Sequence, residues 1–259
     1  MLQEIVASKR LELIATKAAV PLEEVLRGIP SEAPPGFATA LTGRDVNIIA
    51  EIKYRSPSRG DFNCRFQFKE LAGIYAEHGA AAISVLTESR YFSGKLEYLS
   101  TLSKELPETP LLRKDFIVDR YQVAESRAAG AAACLFIVSC LCDEELKNLL
   151  AYGRELGLEA LVEVHDLFEL DRAMEAEAPV IGVNNRDLKT FSVNVQTSFD
   201  VARRMEGEEG PVLVSESGID DPSQIAELHD AGFSAFLIGS ALMEAEDPGA
   251  ALLKLRGRG

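Results

Sequence analysis

The chain has 259 residues, 47% of them hydrophobic and 26% charged, with a formal net charge of −14. That length buries a substantial core, and no apolar run approaches the roughly 18 residues of a membrane span. The acidic balance argues against broad attraction to nucleic acid or anionic membrane, so a cytoplasmic protein acting on small molecules, without membrane or nucleic-acid partners, is expected.

The opening stretch MLQEIVASKRLELIA alternates charged and apolar residues at helical spacing, unlike the uninterrupted apolar core of a secretory signal. One helical segment is predicted up to about Leu26, followed by the loop GIPSEAPPG and a short link. Residues 1–45 thus read as an N-terminal helical extension that plugs or braces one end of the remaining chain's fold.

Eight short apolar runs come next: Ile48–Ile52, Ala82–Leu86, Leu111–Arg113, Ala133–Val138, Ala160–Val164, Val180–Val183, Val212–Ser215 and Ala235–Ile238. Each fits a buried strand. Amphipathic segments separate them, clearest at Phe66–His78, Arg120–Ala129, Cys142–Leu156, Leu167–Ala176 and Ser223–Ala231. The sequences EHGA, RAAGAA, ELGLE and HDAGFS each put a glycine just past a last helical turn, and DDPSQIAEL puts Asp and Pro at a helix start. Eight βα units in about 210 residues have the rhythm of a (β/α)₈ barrel, the TIM barrel of the α/β class. The fold expected is one such domain over residues 1–259. A doubly wound open sheet is the rival, but no glycine-rich dinucleotide turn follows the first strand.

Active sites of these barrels lie at the carboxyl ends of the strands. Six of the eight predicted strand ends carry polar groups that packing does not require: Glu51 and Lys53; Lys114; Glu163; Asn184 and Arg186; Glu216 and Ser217; Gly239 and Ser240. Strand residues alternate faces, so Ile49, Glu51 and Lys53 share one face, as do Leu112 and Lys114, Leu161 and Glu163, and Val214 and Glu216. If the apolar member points into the barrel, the charged member does too. A layer of salt bridges such as Glu51–Lys53 or Glu163–Lys114 would account for any one pair, but less easily for the set. SESGI and IGSAL after the last two strands add Gly218, Gly239 and Ser240, small residues and a hydroxyl suited to a phosphate ligand. Four cysteines, Cys64, Cys134, Cys140 and Cys142, show no common zinc spacing and read as reduced thiols.

The stretches AEIKYRSPSRG, LLRKDFIVDRYQV, LVEVHD, GVNNRDL, VSESGI and FLIGSALM, in this order between about residues 46 and 243, closely resemble the motifs of the indole-3-glycerol phosphate synthase family. A helical N-terminal extension is also a feature of that family. The resemblance implies ring closure of 1-(2-carboxyphenylamino)-1-deoxyribulose 5-phosphate with loss of CO₂ and water, and no metal or cofactor. It implies Lys114 as general acid at the ketone oxygen, with Lys53 a possible second donor. A lysine serves this role near neutrality when burial and a neighbouring cation lower its pKa, and Lys53 is placed by parity to do so. Glu163 is the expected base, Glu51 the partner of Lys53 or an acid, and Asn184 the partner of substrate hydroxyls. Glu216 is expected to fix Asn184 or a lysine. Ser56, Gly218, Gly239 and Ser240 are the implied phosphate contacts, with Ser217 shared between phosphate and hydroxyl. Phe92, Phe116, Leu135 and Leu188 are expected around the anthranilate ring, and the turn-rich loop Tyr54–Asn63 over the site.

Three other readings compete. Phosphoribosylanthranilate isomerase is expected to use a cysteine on the first strand, where Glu51 and Lys53 stand here. An aldolase would form a Schiff base on Lys53 or Lys114, and a non-catalytic barrel would have no need of Lys114 and Glu163 together. A monomer is expected rather than a stable oligomer.

Overall fold

Runs of Ile, Val, Leu and Ala that are buried on both faces make parallel strands, and the longer amphipathic stretches between them make crossover helices. The computed structural model describes residues 1–43, 46–207 and 210–257. In chain order, helices α1 (Leu2–Ala19), α2 (Leu22–Arg27) and α3 (Phe37–Ala40) precede strand β1 (Asn47–Ile52). A two-stranded hairpin, β2 (Arg55–Ser56) and β3 (Gly60–Asp61), lies in the loop before α4 (Phe68–Glu77). Next come β4 (Ala82–Leu86), α5 (Leu96–Glu105), β5 (Leu111–Lys114), α6 (Arg120–Ala128), β6 (Ala133–Ile137), α7 (Asp143–Glu155), β7 (Glu159–Val164) and α8 (Leu167–Glu175). The chain continues with β8 (Val180–Asn184), α9 (Gln196–Met205), β9 (Val212–Glu216), α10 (Pro222–Asp230), β10 (Ala235–Ile238), α11 (Ser240–Met243) and α12 (Pro248–Leu255).

The eight strands β1, β4, β5, β6, β7, β8, β9 and β10 pair in parallel, and β1 also pairs with β10, so the sheet closes. Closure rules out the open doubly wound sheet. The four glycines expected after helices, Gly79, Gly130, Gly157 and Gly232, all have positive φ. Outward-facing residues such as Ile48, Ile83, Phe136 and Val162 pack in the large shell beneath the helices, while Ile49, Leu112, Leu161 and Val214 fill the barrel interior.

The extension differs from its predicted form. The single helix expected up to Leu26 is broken at Val20 and Pro21, where Pro21 caps α2 in an extended conformation. A proline cannot supply the amide that a continuous helix needs, and it forces the residue before it out of helical geometry. The link before β1 also contains a helix, α3. Its Phe37, with Leu41 just after it, is fully buried in the inner cluster with Ile49, Ala82, Leu112 and Val180. Glu159, at the start of β7, accepts hydrogen bonds from the amides of Phe37 (2.8 Å) and Ala38 (2.9 Å), capping that helix across the chain. α1 reaches the opposite end, where Met1, Leu2 and Ile5 line the cavity at the barrel mouth. The extension therefore touches both ends of the barrel. Arg44 and Asp45, at its predicted boundary, lie outside the described residues, as do Arg258 and Gly259.

Candidate active site

Period-two geometry places the charges. Along β1 the inward positions are Ile49 and Glu51, with Lys53 just past the strand end; β5 contributes Leu112 and Lys114, β7 Leu161 and Glu163, and β9 Val214 and Glu216. On β8 the same face carries Val180, Gly182 and Asn184. Two residues of travel, about 7 Å, thus convert an apolar layer into a charged one. Lys114 Nζ lies 2.5 Å from Glu216 Oε2 and 3.3 Å from Glu163 Oε2. Lys53 Nζ lies 2.5 Å from Glu51 Oε1. A cavity of about 470 Å³ opens above them, lined by all fifteen residues to which the sequence gives a catalytic, phosphate or ring-pocket role.

These groups set one another's charge. Burial disfavours the Lys114 ammonium, but Glu216, Glu163 and Glu51 outweigh burial and raise its pKa. This corrects the expectation that a neighbouring cation would lower it. The nearest charges to Lys114 are carboxylates from β7 and β9, and Lys53 is engaged by Glu51. Burial pushes the Glu163 carboxyl up, yet Lys114, His165 and the Asn184 side chain together pull it well below the usual range. Glu51 is likewise lowered, by Lys53 and Lys114 against its own burial. Glu216 goes the other way, pushed up to about 7 by burial and by the charges of Glu163 and Glu51, with Lys114 opposing.

The small residues have steric causes as well. A Cβ on Gly239 would come within 2.6 Å of Glu51 Oε1 and 3.2 Å of Lys53 Nζ, so that glycine makes room for the ion pair. Gly218 has φ +75, and a Cβ there would strike Val193; its neighbour Ser217 has φ +67, a strained value for a residue with a side chain. Asn185 steadies this turn by donating to the Ser217 carbonyl (3.1 Å) and to Ser215 Oγ (3.2 Å). Ser56 is buried in the β2–β3 hairpin, where its Oγ is 3.4 Å from Ser58 Oγ. Ser240 opens the short helix α11. On the apolar side, the Phe92 and Phe116 rings lie 6.1 Å apart, and Phe116, Leu135 and Leu188 join the inner cluster.

Sequence reading misses several contributors. His165 has Nε2 3.3 Å from Glu163 Oε1, and the pattern Glu-Val-His running off the end of β7 signals it, since residues two apart share a face. Asn185 belongs to the opposite parity and gives no such signal. Asp115, next to Lys114, is buried between Arg113 (3.2 Å) and Lys9 of α1 (3.2 Å), which ties the extension to the end of β5. Arg59, also missed, lines the cavity and pairs with Glu244 at 2.5 Å, while Arg186, expected at the end of β8, lines it as well and donates to the Phe191 carbonyl at 3.1 Å. No helix among the described residues is long and apolar enough to cross a membrane.

A sequence-family profile described as indole-3-glycerol phosphate synthase matches residues 2–255. Proteins of that name from Laribacter hongkongensis and Roseiflexus castenholzii are 43% and 42% identical to this chain. They cover 98% and 100% of it, and 98% of their own length in each case. Among solved structures, a 3-hexulose-6-phosphate synthase aligns with a TM-score of 0.66 at 16% identity, over 82% of this chain and 99% of its own. A thiamine phosphate pyrophosphorylase from Pyrococcus furiosus aligns with a TM-score of 0.59 at 15% identity, over 82% and 94%. At such identities the structural likeness speaks to the barrel fold alone.

Proposed function

The chain belongs to the indole-3-glycerol phosphate synthase family, and from that membership we infer how its barrel mouth carries out the family's reaction. It is a decarboxylating, ring-closing lyase of tryptophan biosynthesis. The substrate we assign is 1-(2-carboxyphenylamino)-1-deoxyribulose 5-phosphate. The observation that carries the assignment is the placement of Lys114 between Glu163 and Glu216, facing a cavity that both cationic side chains and aromatic rings line.

The phosphate is held by Ser56, Gly218, Gly239 and Ser240, with Ser217 beside it, and the aromatic ring by Phe92, Phe116, Leu135 and Leu188. Lys114 donates to the ketone oxygen while the ring carbon bearing the carboxylate attacks the ketone carbon. An alkoxide forming there is more basic than an amine, so the proton crosses even from an ammonium that three carboxylates hold strongly. CO₂ then leaves, its electron pair restoring the aromatic ring in an apolar pocket that favours loss of a localised charge. Lys53, held by Glu51, gives a second proton to the departing hydroxyl, and Glu163 takes one from the new ring; Asn184 holds substrate hydroxyls. Two protons reach the oxygen and one returns to Glu163, so each turnover draws one from solvent. Glu163 Oε2 is 3.3 Å from Lys114 Nζ, near enough to hand its proton straight back.

We also propose that the N-terminal extension and the barrel form one domain, since Lys9, Phe37 and Leu41 are buried against it, and that the protein works as a monomer. The test is incubation of the purified protein with the substrate alone. Indole fluorescence should rise without added metal or nucleotide. A folded protein that gives no signal, or one trapped covalently by borohydride with the substrate, would overturn the assignment in favour of a binding barrel or a Schiff-base enzyme.

A further inference from the structure

His165 is a buried titratable group at the mouth that the steps above leave unused. Its Nδ1 lies 3.0 Å from Glu169 Oε2, and its backbone N–H donates to the same oxygen at 2.9 Å. Glu169 sits in the first turn of α8, where its own amide is fixed by Asp166 at 2.8 Å. The other ring nitrogen, Nε2, faces Glu163 Oε1 at 3.3 Å, is buried, and makes no aligned hydrogen bond. The two oxygens of Glu163 thus have different neighbours: Lys114 at Oε2 and His165 at Oε1, both at 3.3 Å. Glu163 lines the mouth, whereas His165 and Glu169 line a second cavity of about 800 Å³, so the imidazole stands in the wall between the two.

We propose that His165 is a positioning residue for Glu163: braced by Glu169, it holds Oε1 so that Oε2, the oxygen facing Lys114, receives the substrate proton. This rests on the reaction assigned above. An imidazolium that donates to Oε1 leaves Oε2 as the only oxygen free to take a proton, and only Oε2 can return it directly to Lys114. Without the imidazole the carboxylate can turn about its own axis, and either oxygen can be protonated. The misalignment at Nε2 suits a contact that tightens when substrate is bound, as catalytic hydrogen bonds commonly do. Burial disfavours the imidazolium, but Glu163 and Glu169 outweigh it and raise the His165 pKa to about 10, so the ring is charged at neutral pH. The Cys140 thiol also feels both carboxylates; burial and those same charges, with Arg10 opposing, push it up to about 12. Asp166, Met1, Arg186, Asp187 and Lys189 lie around the second cavity.

The experiment compares pH profiles of kcat and KM for the wild-type chain, His165→Gln and Glu169→Gln. In His165→Gln, kcat should fall about tenfold to a hundredfold, less than the roughly 100- to 10,000-fold that a general base supplies, with KM little changed. The mouth carboxylates titrate as a unit, and loss of an adjacent cation raises their pKa, so the acid limb should move to higher pH. Glu169→Gln should move the basic limb to lower pH, because burial then gains on the remaining partner of His165. A fall of equal size at every pH, or an unchanged kcat, overturns the proposal. Should His165→Gln fail to fold, the ring nitrogens of ¹⁵N-histidine-labelled wild-type protein decide. A His165 midpoint well above 6.5 that drops in Glu163→Gln supports the bridge, and one near 6.5 overturns it. A wild-type chain that forms no indole would remove the assigned reaction itself, whereas an active one with unmoved limbs removes only the role of His165.

Discussion

At the amino end of the barrel, Phe37 and Leu41 close over Ile49, Ala82, Leu112 and Val180, all of them fully buried. At the carboxyl end, two residues further along inward-facing positions, the barrel holds Glu51, Lys114, Glu163 and Glu216, also almost fully removed from water except for part of Lys114. The amino end gains from burial directly. The carboxyl end must desolvate several charges, and pairing at best offsets that cost, so an apolar layer would serve stability as well or better. The two ends differ because one holds the fold and the other holds chemistry. The pairing at the mouth supports this division: Glu51 meets Lys53, and Glu163 and Glu216 meet Lys114, with His165 on the far oxygen of Glu163. An anionic substrate therefore finds donors already oriented by their carboxylates rather than a bare excess of positive charge.

The largest effect that would sharpen this contrast is expected from Lys114→Ala. It should lower kcat by several orders of magnitude, while KM, set by the phosphate and ring pockets, changes little. If activity stays within about tenfold of wild type, only about 1.4 kcal/mol of barrier is involved, and Lys114 is not the general acid. Steady-state kinetics at saturating substrate decide between these outcomes.

The converse change is made at the other end. Phe37→Ala should cost about 3–5 kcal/mol of stability, the usual range for removing a buried aromatic ring. Its kcat below the melting transition should stay near the wild-type value. Denaturant unfolding and initial rates on one preparation test both halves. A large loss of kcat in a folded Phe37→Ala protein would mean that the bottom layer also sets the geometry of the mouth, and the division would fail.

Much of this contrast is legible in the chain, because period-two alternation needs no knowledge of tertiary partners. Ile49 and Glu51, or Leu161 and Glu163, declare a shared face by their spacing, and the strand-end rule of barrels says which end the charge occupies. Partners across the barrel are another matter. That Glu216 of β9 and Glu163 of β7 both reach Lys114 of β5 depends on side-chain length and on the space at β8, which no local pattern reports. For this reason Lys114 itself is legible, while the direction of its shift is not. The break at Pro21 carries a local signal that the expected single helix overlooked, since proline disrupts a continuous helix, whereas the plug formed by FATAL carries none: five residues after a Pro-Pro-Gly turn are too few to show helical periodicity. His165 can be found by parity with Glu163, and Asn185, on the opposite face, cannot.

The space at β8 offers the finest test. Val180, Gly182 and Asn184 share the inward face, and at the middle position the barrel has no side chain. A Cβ on Gly182 would collide with Glu216 Oε1 and come within 3.2 Å of Leu161 Cδ1. That carboxylate oxygen is buried without a hydrogen-bond partner, so the absence of a methyl group at position 182 is what lets Glu216 lean across to Lys114. Gly182→Ala should therefore turn Glu216 away and leave Lys114 with Glu163 as its close partner. We expect kcat to fall by about tenfold to a hundredfold, roughly 1.4–2.7 kcal/mol of barrier. The pKa of Lys114 is held up by its carboxylates, and its charge is lost as pH rises through that value. Removing one carboxylate brings the value down, so the basic limb of kcat should move to lower pH. Gly73→Ala in α4 is the control. Nothing lies within 4 Å of a Cβ there, and the helix should gain about 0.5–1 kcal/mol with no change in either limb. If Gly182→Ala loses activity with an unmoved basic limb, the glycine serves packing alone, and the space at β8 belongs with the structural half of the barrel.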